Sequence, residues 1–368
     1  MKSLSDHFKS RLVSSEITKE IQNPVFRSSA IFPVIKNSNY TSRISFLGYW
    51  FLKHTIKEIG LVLTFRNNDG SIISKISSTL DSPKVFLIEL DDLLKENNIK
   101  ENKFYGSIEL EVFSSKNLVF PYPAFAINFY NKDFCTSVHS VERTYNNFQD
   151  LQENQITVVP EAGFDMYENI DLHSFLAFVN GSLQNNDAKI NYTIVNHSSN
   201  NITGSINIGK VKPYQMKILE FGKYIKNLEQ FLENKSGTIT FTHNLEGFFP
   251  RFLVGTIQNT FPSISITHSY YDCTNCDSQS DYFIQTNDKF IDSAISIPLF
   301  LENQFYTDLI LYPIFSPSNF TISFDTYDAA GNLLKKYPDF LKIETKNQKL
   351  NKINFKEVLK HESNLNQI

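Results

Sequence analysis

Two histidines eighteen residues after a proline are the residues best suited to chemistry in this chain. His139 closes the stretch PYPAFAINFYNKDFCTSVHSVER (121–143), and His268 closes PRFLVGTIQNTFPSISITHSYYD (250–272). Each stretch reads as two extended runs joined by a short turn, then a His-Ser pair followed by acidic, basic or hydroxyl-bearing residues. The set His139, Glu142 and Arg143 in the first stretch answers His268, Tyr271 and Asp272 in the second. Imidazole and carboxylate are ordinary ligands for a divalent transition metal, and the same pair can exchange protons near neutral pH. The structural alternative is that each histidine ends a strand and hydrogen-bonds its own turn.

Other polar groups lie close by. Arg251 follows Pro250, and where the first copy has Tyr122, so an anion-binding role belongs to the second copy alone. Tyr270 and Tyr271 offer stacking area for a sugar ring or a partner's side chain. Cys273 and Cys276 have C-x-x-C spacing, and with His268 and Asp272 they make a mixed metal set. A structural zinc site asks for four ligands, however, and the second cysteine pair is missing. No glycine-rich phosphate loop, nucleophile elbow or H-E-x-x-H motif occurs.

The elements that must position these residues repeat. Pro83, Gly106, Pro121 and His139 recur as Pro213, Gly237, Pro250 and His268. Ile88-Glu89-Leu90 recurs as Leu219-Glu220-Phe221. An interval near 130 residues exceeds the roughly 20 to 50 residues of a solenoid unit, so it marks duplicated domains. Within each copy, alternating apolar residues predict strands: IGLVLTF and SIISKI flank Asn68-Asp69-Gly70, which suits a tight hairpin turn. VFLIELDDLLKE predicts a strand running into a helical turn, and in the second copy Tyr224, Ile225, Leu228, Phe231 and Leu232 fall on one helical stripe. A further partial copy follows, with Ala330-Gly331-Asn332 in the place of Asp69-Gly70-Ser71, and INFKEVL matching the strand and helical turn after Pro83.

The expected fold is all-β: tandem β-sandwich domains from an internal duplication of about 130 residues, with short helices and a half-length third copy. The boundaries read as a lead-in over 1–42, a first sandwich over 43–147, a second over 170–276, and the partial copy over 290–368. Pro24 and Pro33 are expected to interrupt the lead-in.

From KPYQMKIL through PRFLVGTIQNTFPSISITHSYYD, residues 174–272 resemble the small β-sandwich domain of the sensory rhodopsin transducer family. That resemblance implies a sandwich that works by binding, in soluble signalling or small-ligand recognition, without catalysis.

Composition narrows the partners. The 35 basic and 39 acidic side chains give a net charge of −4 with no basic stripe, which argues against nucleic acid. No apolar run of about 18 residues predicts a membrane span. Three cysteines cannot pair evenly, and the opening residues carry no apolar signal segment, so a cytoplasmic location is expected.

The function expected is a non-catalytic binding or assembly protein, taking a glycan, small ligand or protein partner at loop ends between the sandwiches, with homo-oligomerisation as one means of completing the partial copy. No cofactor is expected. The alternative is a metal-dependent enzyme acting on a sugar or small polar substrate, its divalent transition metal held by His139 and His268 with Asp272, Cys273 and Cys276.

Overall fold

The computed structural model describes residues 24–53, 56–118, 123–139, 142–144, 161–249, 251–269, 295–301, 306–311, 320–343 and 351–360. These fall into two separate units, one ending near residue 269 and one beginning near 295. No helix among the described residues is long and apolar enough to cross a membrane.

The first unit holds two sandwiches with the same strand order. In the first, β1 (Arg27–Lys36), β6 (Phe104–Phe113), β3 (Ile59–Asn67) and β4 (Ile72–Leu80) form one antiparallel sheet, in that spatial order. Facing it are β5 (Val85–Glu89), β2 (Thr41–Leu47), β7 (Phe125–Tyr130) and β8 (Cys135–His139). The second sandwich repeats this arrangement. One sheet orders β10 (Glu161–Met166), β15 (Gly237–His243), β12 (Asn185–Val195) and β13 (Asn201–Val211). Its partner orders β14 (Met216–Glu220), β11 (Leu172–Val179), β17 (Leu253–Gln258) and β18 (Ser263–His268).

Alternation along the strands explains the layering. Phe32, Leu63, Ile108, Ile44 and Ile127 fill the first interior, and Phe164, Leu176, Phe178, Ile239 and Val254 fill the second. The short helices sit where the sequence places them: α1 (Tyr49–Lys53) after β2, and α2 (Leu90–Glu96) after β5 with Leu90, Leu93 and Leu94 buried. The helical stripe of the second copy is shorter than its pattern predicts. It is a 3₁₀ turn at Phe221–Lys223 followed by α3 (Leu228–Leu232), and Asn227 and Glu233, both with left-handed φ, bound α3 at either end. Ile225, Leu228 and Leu232 are buried, while Tyr224 is exposed.

The repeated glycines have a steric cause. A Cβ at Gly106 would overlap the Arg66 carbonyl, and one at Gly237 would lie 2.8 Å from the Val195 carbonyl, the matching atom of the second sandwich.

The first sandwich starts upstream of Arg43. β1 crosses the expected lead-in, and Pro33 stands in mid-strand opposite Ser107. Proline is tolerated there because β1 is the edge of its sheet. β10 likewise precedes residue 170 and opens the second sandwich.

The sandwiches are fused along an apolar face. Phe175, Ala177, Met216, Leu253, Ile264 and Ile266, on the outer side of the β14-β11-β17-β18 sheet, belong to the hydrophobic cluster of the first sandwich. Hence β11 is apolar at successive positions, buried on both sides.

The second unit pairs β19 (Asp308–Leu311) with β22 (Asn351–Asn354), and β20 (Phe320–Tyr327) with β21 (Leu333–Ile343); α4 (Phe355–Val358) follows β22. These pairings match β2 with β5 and β3 with β4. One turn recurs in all three places. Asn67 Oδ1 accepts the N–H groups of Asp69 and Ser71, Asn196 Oδ1 those of Ser198 and Asn200, and Asp328 Oδ1 those of Ala330 and Asn332. A left-handed residue follows in each, Gly70, Ser199 and Gly331.

Candidate functional site

β8 and β18 are the outer strands of their sheets, and they lie against each other. The Ile266 N–H donates to Thr136 Oγ1 at 3.2 Å, linking the two edges. His139 stands opposite Ala126 in its sheet and His268 opposite Leu253 in the other, the same register position in both sandwiches. The adjacency of the edges therefore brings two matching side chains together. Their rings meet edge to face, with centroids 5.0 Å apart and planes at 82°.

The surroundings keep both imidazoles neutral. Burial, then the nearby Arg251 guanidinium, lowers the His139 pKa. His268 is pushed down to about 4 by burial, with Arg251 and His139 adding to the shift and a bond to Ser269 opposing it. That bond joins His268 Nδ1 to the Ser269 carbonyl at 2.8 Å. Because a carbonyl only accepts, Nδ1 carries the proton and Nε2 keeps its lone pair. Ser269 is itself held by its N–H donating to the Phe252 carbonyl at 2.9 Å.

Glu142 and Arg143 are not part of this surface. Glu142 is 1% exposed, its carbonyl accepts the Ile31 N–H, and its Oε2 accepts the Val179 N–H at 2.8 Å. Burial raises its pKa well above the carboxylate range. Arg143 and Thr144 form β9, which pairs with β16 (Phe248–Phe249) of the second sandwich. Thr144 Oγ1 donates to Glu109, which also pairs with Arg66 at 2.8 Å, and Arg66 lies over the Tyr214 ring at 4.3 Å. These charged groups join the sandwiches, with their costs of burial offset by mutual bonds. Tyr270, Tyr271, Asp272, Cys273 and Cys276 lie outside the described residues. Among the described residues, no cluster of three or more His, Cys, Asp or Glu side chains is arranged to hold a metal.

Sequence reasoning missed two polar arrays. His173 Nδ1 bonds Glu168 Oε1 at 2.8 Å, and its Nε2 meets Asn259 Nδ2 at 2.9 Å. Both ring nitrogens are thus engaged, and the array locks the β10–β11 turn to the β17–β18 turn. The other array lies on the outer face of the β5-β2-β7-β8 sheet, where Arg43 and Ser45 donate to Asn128 Oδ1, and Asn128 Nδ2 donates to Ser137. The signal for it was available only by comparing matched positions in the two copies, which needs the strand register.

No family model matches the sequence, and no curated protein matches it. Among solved structures, a beta-glucuronidase from glycoside hydrolase family 2 aligns over 68% of this chain at 8% identity with a TM-score of 0.13. The chain spans 24% of that protein's length.

Proposed function

We propose that this chain is a non-catalytic binding or assembly protein whose fused sandwiches present the seam between β8 and β18 to a glycan, small ligand or protein partner. The observation that carries this reading is the meeting of His139 and His268 at 5.0 Å beside Arg251. Two uncharged imidazoles supply hydrogen-bonding nitrogens beside the Arg251 guanidinium. Such a surface favours a ligand that offers hydroxyls or an anionic group and disfavours a cation.

The shared strand order, the matched turns and the paired glycines support an internal duplication as the origin of the fused sandwiches, with the second unit as a partial copy. The odd number of cysteines supports a reducing, cytoplasmic setting.

One observation favours a second reading. Imidazoles this close can share one transition-metal ion, as a metal-dependent enzyme acting on a sugar or small polar substrate requires; Asp272, Cys273 and Cys276 would have to supply the remaining ligands.

The test is elemental analysis of the tag-free protein together with ligand and partner screening, each repeated on the double variant His139→Ala/His268→Ala. The binding reading expects no stoichiometric metal and a ligand or partner whose binding weakens in the double variant. Stoichiometric metal that disappears in the variant overturns it in favour of the enzyme.

A further inference from the structure

The same sheet face is built twice in this protein with opposite chemistry. Strand register matches Arg43 with Phe175, Ser45 with Ala177, Asn128 with Gly255, Tyr130 with Ile257 and Ser137 with Ile266. In the second sandwich this face is apolar and buried against the first. In the first sandwich the face is only partly covered: Cys135, Ser137 and His139 are exposed along β8, as are Leu47, Val85 and Leu87 on β2 and β5, while Arg43, Ser45, Glu89 and Tyr130 are half-buried and Asn128 beneath them is buried.

This face is more than a solvated end. Its polar groups form a fixed relay, in which Arg43 Nε and Ser45 Oγ donate to Asn128 Oδ1 at 3.3 and 3.2 Å, and Asn128 Nδ2 donates to Ser137 Oγ at 2.8 Å. Tyr130 donates to Glu89 Oε2, and the Arg43 guanidinium lies over the Tyr130 ring, 4.5 Å from its centroid. Burial of the Asn128 amide accounts for its full set of bonds, while Ser137, Arg43 and Glu89 around it stay within reach of solvent.

We propose that this face of the β5-β2-β7-β8 sheet binds an uncharged, hydroxyl-rich ligand of the oligosaccharide class. Arg43 and Glu89 stand 3.7 Å apart and cancel in charge, which removes the preference for an anion or a cation. What remains is a mixture of donors and acceptors: guanidinium, phenol hydroxyl, two serine hydroxyls and a carboxylate. Sugar hydroxyls both give and accept, and they match such a mixture better than a peptide edge or a phosphate does. The apolar margin at Leu47 and Leu87 suits the C–H face of a sugar ring. Four strands at a spacing of about 4.8 Å make the row on the order of 14 Å long, enough for several linked sugars. The row is continuous with the inter-sandwich seam, since β8 carries both Ser137 and His139, yet it stands on its own residues and does not depend on the histidine pair.

The test uses the full chain and a panel of immobilised neutral hexasaccharides of glucose, mannose and xylose, followed by titration of any hexasaccharide bound. The variants Ser137→Ile and Tyr130→Ile carry the residues of the matching positions in the second sandwich. At least one neutral hexasaccharide is expected to bind and both variants to weaken it about tenfold or more, with His139→Ala/His268→Ala titrated alongside them. In the parent protein, backbone amide signals of Asn128 and Ser137 are expected to shift on titration, which decides the matter even where a variant is poorly folded. Three outcomes overturn the inference: no neutral hexasaccharide binds, the amide signals on this face stay still, or binding needs the histidines and ignores Ser137 and Tyr130. The last leaves the seam as the binding site and removes only this face.

Discussion

The Glu142 carboxylate accepts the Val179 backbone N–H at 2.8 Å while its own carbonyl accepts the Ile31 N–H, so one residue holds an end of β11 to the β1 strand of the other sandwich. Its side chain is fully buried, and burial favours the protonated form.

That relationship fixes a pH dependence. An unfolded glutamate titrates near 4.3, and the folded value lies well above it, so the folded state holds the proton more tightly. The stability this group contributes is full below about pH 4.3 and is lost as pH rises through the folded value. Glu142→Gln keeps an acceptor for Val179 without an ionisable group. Thermal melts from pH 4 to 8 are expected to show the variant gaining on the parent as pH rises. Glu142→Ala leaves the Val179 N–H unpaired and is expected to cost about 1–3 kcal/mol.

His268 works in the opposite sense. Its folded pKa of about 4 lies below the unfolded value near 6.5, so the unfolded chain binds more protons between them. Stability is expected to fall as pH drops through that window, and His268→Ala to flatten the fall. Imidazole NMR signals check the cause directly, with the His268 ring expected to titrate near pH 4.

Matched substitutions distinguish the covered face from the partly covered one. Ala177→Asp places a charge against the apolar cluster of the first sandwich and is expected to cost more than about 3 kcal/mol, seen as an early loss of cooperative unfolding. Ser45→Asp, at the matching half-buried position, removes one of the two donors to Asn128 Oδ1 and is expected to cost less, about 1–2 kcal/mol.

Gly70 serves both its turn and the joining of the sandwiches. Its φ is +91°, and an added Cβ would overlap the Pro213 carbonyl of the second sandwich. Gly209 has φ +75° with open space around it. Gly70→Ala is expected to cost about 2–4 kcal/mol and Gly209→Ala about 1 kcal/mol in denaturant titrations, the difference measuring the close approach.

Much of the fold was legible in the sequence. Alternation predicted the strands, Asn68-Asp69-Gly70 and Ala330-Gly331-Asn332 marked hairpin turns, and of the paired glycines Gly237 opens β15 while Gly106 lies inside β6, which begins at Phe104. β1 was legible only in part, because Pro33 looks like an interruption until the strand is known to lie at a sheet edge. The match of His139 with His268 was readable from spacing, since both positions follow from the register of local hairpins.

The sequence alone determined the strand class and the matched placement of the two histidines, because each depends on local periodicity and spacing. The tertiary structure alone decided that the histidines touch, that Glu142 and Arg143 turn inward, and that the Phe175 face is covered while the Arg43 face is only partly covered. Those outcomes depend on which sheet of one sandwich docks on the other. An apolar face must be buried, but its residues carry no record of the surface that covers it, so the docking emerges only from the summed fit of both sandwiches.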